Sequence, residues 1–362
     1  MRMIAARLYA PLDARIEEIP VPEPGPGEVV IHIGAATTCG TDVKMYRRGH
    51  PVLMKQTPFT FGHEAAGTIA MVGTSVRRWR EGDRVVVSNS APCNHCYYCR
   101  RGRQSLCEDL LMLQGAYAEY LLVPERIVNQ NLWQLPDHLS FAEAALTEPL
   151  ACALHAVDAS HIAPGDIVAI NGGGPLGLLL LAVARLSGAR VILCGRGAER
   201  LAAAKWLGAD HIVNVAETGT GDSQVEAVLA LTEGHRGADV VIEAVGTPET
   251  WELSARMVRP GGLVNFFGGC PPGTRFSLET LPIHYGEVTT LGVFHHTPYY
   301  FSTALHLISQ HQVNVTPLLT AALPLSQTID ALQRLMRKEG IKYALYPPGN
   351  EPDLPTTRQA ES

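Results

Sequence analysis

The sequence predicts an α/β chain in two parts, a β-rich N-terminal unit followed by a doubly wound parallel sheet. Three observations predict it. Up to about residue 123 the chain consists of short apolar runs cut by Gly and Pro, the texture of short strands joined by turns. From about residue 140 helix formers dominate. Between 167 and 267 apolar runs alternate with helical stretches, as repeated βα units require. The 362 residues allow two to three units at the usual domain size of roughly 150 residues.

Taken in order, residues 29–33 and 84–87 are runs rich in Val and Ile and read as strands. Residues 20–27 hold four prolines and two glycines and must be a loop. A helix starts at 140–146, with Ser140 as N-cap and Glu143 at the capping-box position. Strands follow at 167–170, 190–194, 212–215, 239–244 and 262–267. Helices lie between them at 176–186, 199–207 (stopped by Gly208), 223–232 and 248–258. After about 290 the pattern is mixed, and 347–362 is a polar, Pro-bearing tail expected to be disordered.

Composition narrows the function. Hydrophobic residues make up 46%, enough for sizeable cores. Twenty-nine basic against 35 acidic residues leave a net charge of −6 with no Lys/Arg stripe, so nucleic acid is an unsuitable partner. Arg7 interrupts the N-terminal apolar stretch, which therefore does not read as a secretory signal, and a cytoplasmic location is the expectation. The longest apolar run, 176–184, is far short of the roughly 20 residues that cross a membrane.

Three motifs carry chemistry. Gly172, Gly174 and Gly177 have GxGxxG spacing, with Pro175 and Leu176 between the last two. The motif joins an expected strand to an expected helix, the context in which such a turn cradles a dinucleotide pyrophosphate. About 20 residues further on, a carboxylate would hold the ribose 2′-hydroxyl of NAD. Gly195 stands there instead, with Arg196 and Arg200 close by, which leaves room and positive charge for a 2′-phosphate. NADP is expected over NAD. The second motif is Cys93, Cys96, Cys99 and Cys107, four of the eight cysteines in C-x2-C-x2-C-x7-C spacing. Four thiolates form a closed tetrahedral shell suited to structural zinc; the competing readings are a disulfide pair or unrelated core cysteines. The third group, Cys39, His63 and Glu148, is dispersed, and spacing alone does not make it a site, since a single Cys or His is more often packed in a core.

The ordered set Cys39-Gly40-Thr41-Asp42, Gly62-His63-Glu64, the four-cysteine lobe, Glu148-Pro149-Leu150 and the glycine turn resembles the zinc-dependent medium-chain dehydrogenase/reductase family, closest to its sorbitol (polyol) and threonine dehydrogenase branches. The resemblance implies a GroES-like catalytic domain at 1–150 with a structural-zinc lobe at about 90–110, and a Rossmann domain at 151–290. A segment at 291–346 would return to the catalytic domain. It further implies two zinc ions per chain. Cys39, His63 and Glu148 would hold the catalytic one, with Glu64 behind it as an exchangeable ligand, and Asp42 would orient His63. Thr41 matches the hydroxyl that passes on the substrate proton, and Lys44 stands where the family often has His. Phe267 and Gly268 would border the nicotinamide, and the substrate pocket would draw on residues between 45 and 61 and near His295. Cys152, Cys194 and Cys270 are left to packing. The activity implied is hydride transfer between a secondary alcohol, a polyol first, and NADP, giving a ketone. A threonine 3-dehydrogenase, a simple secondary-alcohol dehydrogenase and a non-catalytic zinc-binding relative are the alternatives. The family's members imply a homotetramer or homodimer.

Overall fold

The computed structural model describes residues 1–49, 54, 56–350 and 352. Two compact units emerge: the first comprises 1–148, 297–311 and 319–362, the second 149–296 and 312–318.

The first unit is built on a seven-stranded sheet. Its path runs Leu132–Gln134, Arg84–Val87, Ala65–Val72, Val29–Thr37, Lys342–Tyr346, Leu319–Pro324, and Tyr120–Val123 also pairs with Val29–Thr37. Every residue of Val29–Thr37 except His32 is buried, so this strand reads as an apolar run; of its partners, Lys342–Tyr346 is buried throughout and Tyr120–Val123 alternates. Ile31, Ile33, Phe61, Tyr117 and Leu132 form the centre of its core. A hairpin, Arg2–Ala10 with Asp13–Pro20, joins the short strand Phe59–Thr60 in a separate three-stranded sheet. Pro20 closes the hairpin, and the Pro/Gly loop accordingly starts at residue 21.

The β-only reading of this stretch needs one correction. Gly40–Arg48 is a helix. Its polar sequence shows no clear apolar period, but Cys39 caps it by accepting the Thr41 N–H at 3.4 Å. Asp42 lies in its first turn and Arg47 and Arg48 in its last, each favourable to the helix dipole. Phe141–Ala145 follows as expected, with Ser140 and Glu143 completing a capping box.

In the second unit six strands are hydrogen-bonded in parallel in the order His211–Asn214, Arg190–Gly195, Ile167–Asn171, Ala238–Glu243, Val258–Phe266, Thr289–Leu291. Numbered along the chain this is 3-2-1-4-5-6, the doubly wound order whose crevice opens at the carboxyl ends of the central strands. Ala169, Ile192, Val241, Met257 and Val264 lie in its core. Of the tail expected from 347, residues 347–350 are a short turn, and Asn350 donates to the Ile33 carbonyl at 2.8 Å. Residue 351 and residues 353–362 lie outside the described residues.

Candidate active site

In the first unit the dispersed residues converge. His63 follows Gly62, whose φ is +88°, and is 8% exposed. Its Nδ1 donates to Asp42 Oδ1 at 3.1 Å, and the other oxygen of Asp42 accepts the Tyr117 hydroxyl at 2.6 Å. Both Asp42 and Tyr117 are fully buried. A carboxylate held at both ends fixes the ring and leaves the second imidazole nitrogen for a further partner. Burial disfavours the charged imidazole, but Asp42 and the Cys39 thiol outweigh it and hold His63 well above its ordinary range.

Glu148 enters from the first turn of helix Thr147–Ala159 and accepts Asn89 Nδ2 at 2.9 Å. Burial, opposed by His63 and aided by Glu64, pushes its carboxyl up to about 7. Glu64, with no exposure at all, accepts the Thr37 hydroxyl and the ammonium of Lys342, whose Nζ lies 2.9 and 2.7 Å from its two oxygens. Lys342 also donates to the Thr38 carbonyl at 2.6 Å. The potential ligand atoms of Cys39, Asp42 and His63 lie within 4.8 Å of one another, and so do those of His63, Glu64 and Glu148.

This donor set fits a divalent cation. A thiol, an imidazole and a carboxylate are the mixed donors zinc accepts. Asp42, Glu64 and Glu148 bring three buried carboxyl groups together with the His63 imidazole and the Lys342 ammonium, and buried charge needs a partner. Thr41 and Lys44 sit half-buried on the helix that Cys39 caps. Of residues 45–61, 50–53 and 55 lie outside the described residues. Lys342, Tyr117 and Asn89 went unread in the sequence. The one available signal was for Lys342, a lone charge inside the apolar run 341–346.

The sulfur atoms of Cys93, Cys96, Cys99 and Cys107 also lie within 4.8 Å of one another. None of the eight cysteines forms a disulfide, which removes that reading of the cluster. Backbone N–H groups point at the sulfurs: Cys93 N–H to Cys107 Sγ at 3.2 Å and Cys96 N–H to Cys93 Sγ at 3.3 Å. Such bonds favour thiolate, and N–H groups of Cys99 and Glu108 lower Cys96 to about 6.

In the second unit the glycine turn joins strand Ile167–Asn171 to helix Pro175–Leu186. Gly174 is the N-cap and offers no side-chain acceptor to the helix's first N–H groups, a Cβ there would meet nothing within 4 Å, and Pro175 occupies the first turn. A Cβ on Gly177 would lie 1.8 Å from the Gly172 carbonyl oxygen. Gly195 ends the adjacent strand, where a Cβ would come within 3.0 Å of Gly173 Cα. Beyond it Arg196 is exposed and Arg200 half-buried; burial lowers Arg200, and Arg196 adds to that by repulsion. An uncapped helix start, a backbone cradle and two guanidiniums fit a dinucleotide phosphate. Phe267 and Gly268 follow strand Val258–Phe266 and donate to the Glu243 carbonyl at 3.1 and 2.8 Å.

Fold and site together define a zinc-binding dehydrogenase. Residues 25–137 match the family profile of the alcohol dehydrogenase GroES-like domain, and 175–310 that of the zinc-binding dehydrogenases. The chain is 34% identical to sorbitol dehydrogenase of Bacillus subtilis over 356 residues, which cover 95% of this chain and 97% of that one. It is 35% identical to L-threonine 3-dehydrogenase of Pyrococcus furiosus over 314 residues, or 85% and 87%. Among solved structures, a zinc-binding dehydrogenase from Sinorhizobium meliloti bound to NADP superposes with a TM-score of 0.86 at 32% identity, covering 96% of this chain and all of the other. The chain belongs to the zinc-dependent medium-chain alcohol dehydrogenase family and is an oxidoreductase of alcohols. No helix among the described residues is long and apolar enough to cross a membrane.

Proposed function

We propose that this chain is an NADP-preferring dehydrogenase that interconverts a secondary alcohol, foremost a polyol, and its ketone. The observation that carries the reading is that potential ligand atoms of His63 lie within 4.8 Å of those of Cys39 in one cluster and of those of Glu64 and Glu148 in another. Cys39, His63 and Glu148 would hold the catalytic zinc, Glu64 would stand behind it, and the four-cysteine lobe would hold a structural zinc. When bound, zinc supplies Lewis acidity to the alcohol or ketone oxygen and NADP supplies the hydride acceptor. Asp42, itself held by Tyr117, keeps His63 in one orientation. Asn89 does the same for Glu148. Thr41 would take the substrate proton from its place beside Cys39. The unbroken donor set argues against a non-catalytic relative.

Gly195 supports NADP. An Asp at that position would need room for a Cβ where Gly173 already packs, and Arg196 and Arg200 bring positive charge to this end of the strand, which suits a 2′-phosphate. The polyol preference rests on Glu148 at the third ligand position and on the sorbitol dehydrogenase relative. L-Threonine is the second reading, favoured by the Pyrococcus relative. Turnover of a panel of polyols, L-threonine and short secondary alcohols with each cofactor tests the reading. Polyol oxidation with higher kcat/KM for NADP is expected. Absence of polyol turnover removes the substrate class, and an NAD preference removes the cofactor assignment. We further read the chain as a cytoplasmic homodimer or homotetramer, which light scattering on the purified protein checks for assembly.

A further inference from the structure

Glu243 ends strand Ala238–Glu243, next to the strand that carries the glycine turn, and has no solvent exposure. Its donors are neutral. Oε1 accepts the N–H of Val245 at 2.8 Å, the N–H of Gly246 at 2.9 Å and the Thr250 hydroxyl at 2.7 Å; Oε2 takes a second, longer bond from Gly246 at 3.2 Å. Burying a carboxylate is costly, and a fold that needed stability alone would be served by an apolar side chain.

What the carboxylate holds is backbone. The loop after this strand and the loop after Val258–Phe266 are packed against each other there: a Cβ on Gly268 would lie 2.5 Å from Glu243 Oε2, and one on Gly246 would lie 2.6 Å from the Gly269 carbonyl oxygen. The Gly268 carbonyl in turn accepts Trp251 Nε1 at 2.9 Å. Val245, whose N–H Glu243 fixes, is 43% exposed and abuts the glycine turn, since a Cβ on Gly172 would meet Val245 Cγ2 at 3.0 Å. Both loops leave the carboxyl ends of central strands, where doubly wound sheets bind their ligands.

We propose that Glu243 is a positioning residue for the dinucleotide, its carboxylate setting the loops 244–247 and 267–269 against the glycine turn so that Val245 and Gly268 form one wall of the cofactor crevice. The inference rests on a nicotinamide dinucleotide occupying the turn at Gly172. Its test is fluorescence titration of the zinc-loaded protein with NADPH and with NADH, well below each variant's Tm. Glu243→Ala is expected to raise the NADPH Kd by about tenfold or more, because the loops lose their pre-set geometry, with zinc content unchanged. A folded Glu243→Ala variant whose Kd moves by less than about threefold overturns the proposal, since a residue serving stability alone would lower Tm and leave Kd in place. If that variant does not fold, Glu243→Met, close in volume but with no oxygen to accept these bonds, decides in the same titration: a rise of about threefold or more supports the proposal and a smaller one overturns it. Failure of the unaltered chain to bind either nucleotide would instead strike the reading of the glycine turn.

Discussion

Glu64 and Lys342 form an ion pair with side chains 0% and 1% exposed. Removing one partner of such a pair strands a buried charge, at a cost of about 3–5 kcal/mol. Lys342→Met is therefore expected to lower Tm strongly, which calorimetry would register; an unchanged Tm would mean that Glu64 is neutral or finds another donor. Tyr117→Phe removes one hydroxyl from Asp42, and the oxygen it leaves buried costs about 1–3 kcal/mol. Urea denaturation should show that loss, together with weaker zinc retention as His63 gains freedom. Arg200→Ala with Arg196→Ala should lower kcat/KM for NADP by about tenfold or more and leave NAD nearly unchanged, given about 1.5–3 kcal/mol for a hydrogen bond to a charged group. Equal losses with both cofactors would reject the 2′-phosphate role. At this scale the sequence was readable wherever a motif is local, as with the four cysteines within 15 residues or the glycine turn. It was mute where the partner is distant. Lys342 meets Glu64 across 278 positions, and the lone charge in the apolar run 341–346 does not say which carboxylate it pairs with.

Among the elements, the first five doubly wound strands were the most legible, because each is an apolar run set between stretches of helix formers or turn residues. The strand expected at 167–170 spans Ile167–Asn171 and that at 190–194 spans Arg190–Gly195. Val258–Phe266 begins earlier than the expected 262, because Pro260 and two glycines interrupt its apolar run while the backbone pairing resumes through a register shift. Helix Gly40–Arg48 escaped notice because its sequence is short and mostly polar; its buried apolar residues are only Met45 and Tyr46, beside the buried Asp42. Asp239 ties three strands at their starts. It accepts the Ile167 N–H at 2.7 Å and Arg259 Nε at 2.7 Å. Burial alone would raise its carboxyl, but these bonds prevail and hold it below the usual carboxylate range. A depressed carboxyl contributes stability above its unfolded pKa of about 3.9, and that contribution disappears as pH falls through the lower folded value. Tm of Asp239→Asn should lie below that of the unaltered chain at neutral pH, and the gap should narrow in acid. A constant gap from neutral pH into strong acid would exclude this linkage.

For the whole molecule, the two donor clusters can be counted. Plasma mass spectrometry should find about two zinc ions per chain, and Cys39→Ser and Cys107→Ser should each remove about one. One ion in the unaltered chain would leave the four-cysteine lobe as the sole metal site. The sequence made the broad division into two units visible through the change of texture near residue 140, since a β-rich and a βα-repeating region differ in composition. The ordering of the sheet was invisible to it. Lys342–Tyr346 lies between Val29–Thr37 and Leu319–Pro324, so the first unit's central pairing joins residues more than 300 positions apart. During synthesis the ribosome must therefore hold the first unit's sheet unfinished until the last of its strands has emerged. All of the second unit but 312–318 is continuous, from 149 to 296, and can order itself in the interval. The ammonium that neutralises Glu64 arrives on that same late strand, so the ion-pair partner of the buried site is among the final pieces delivered to it.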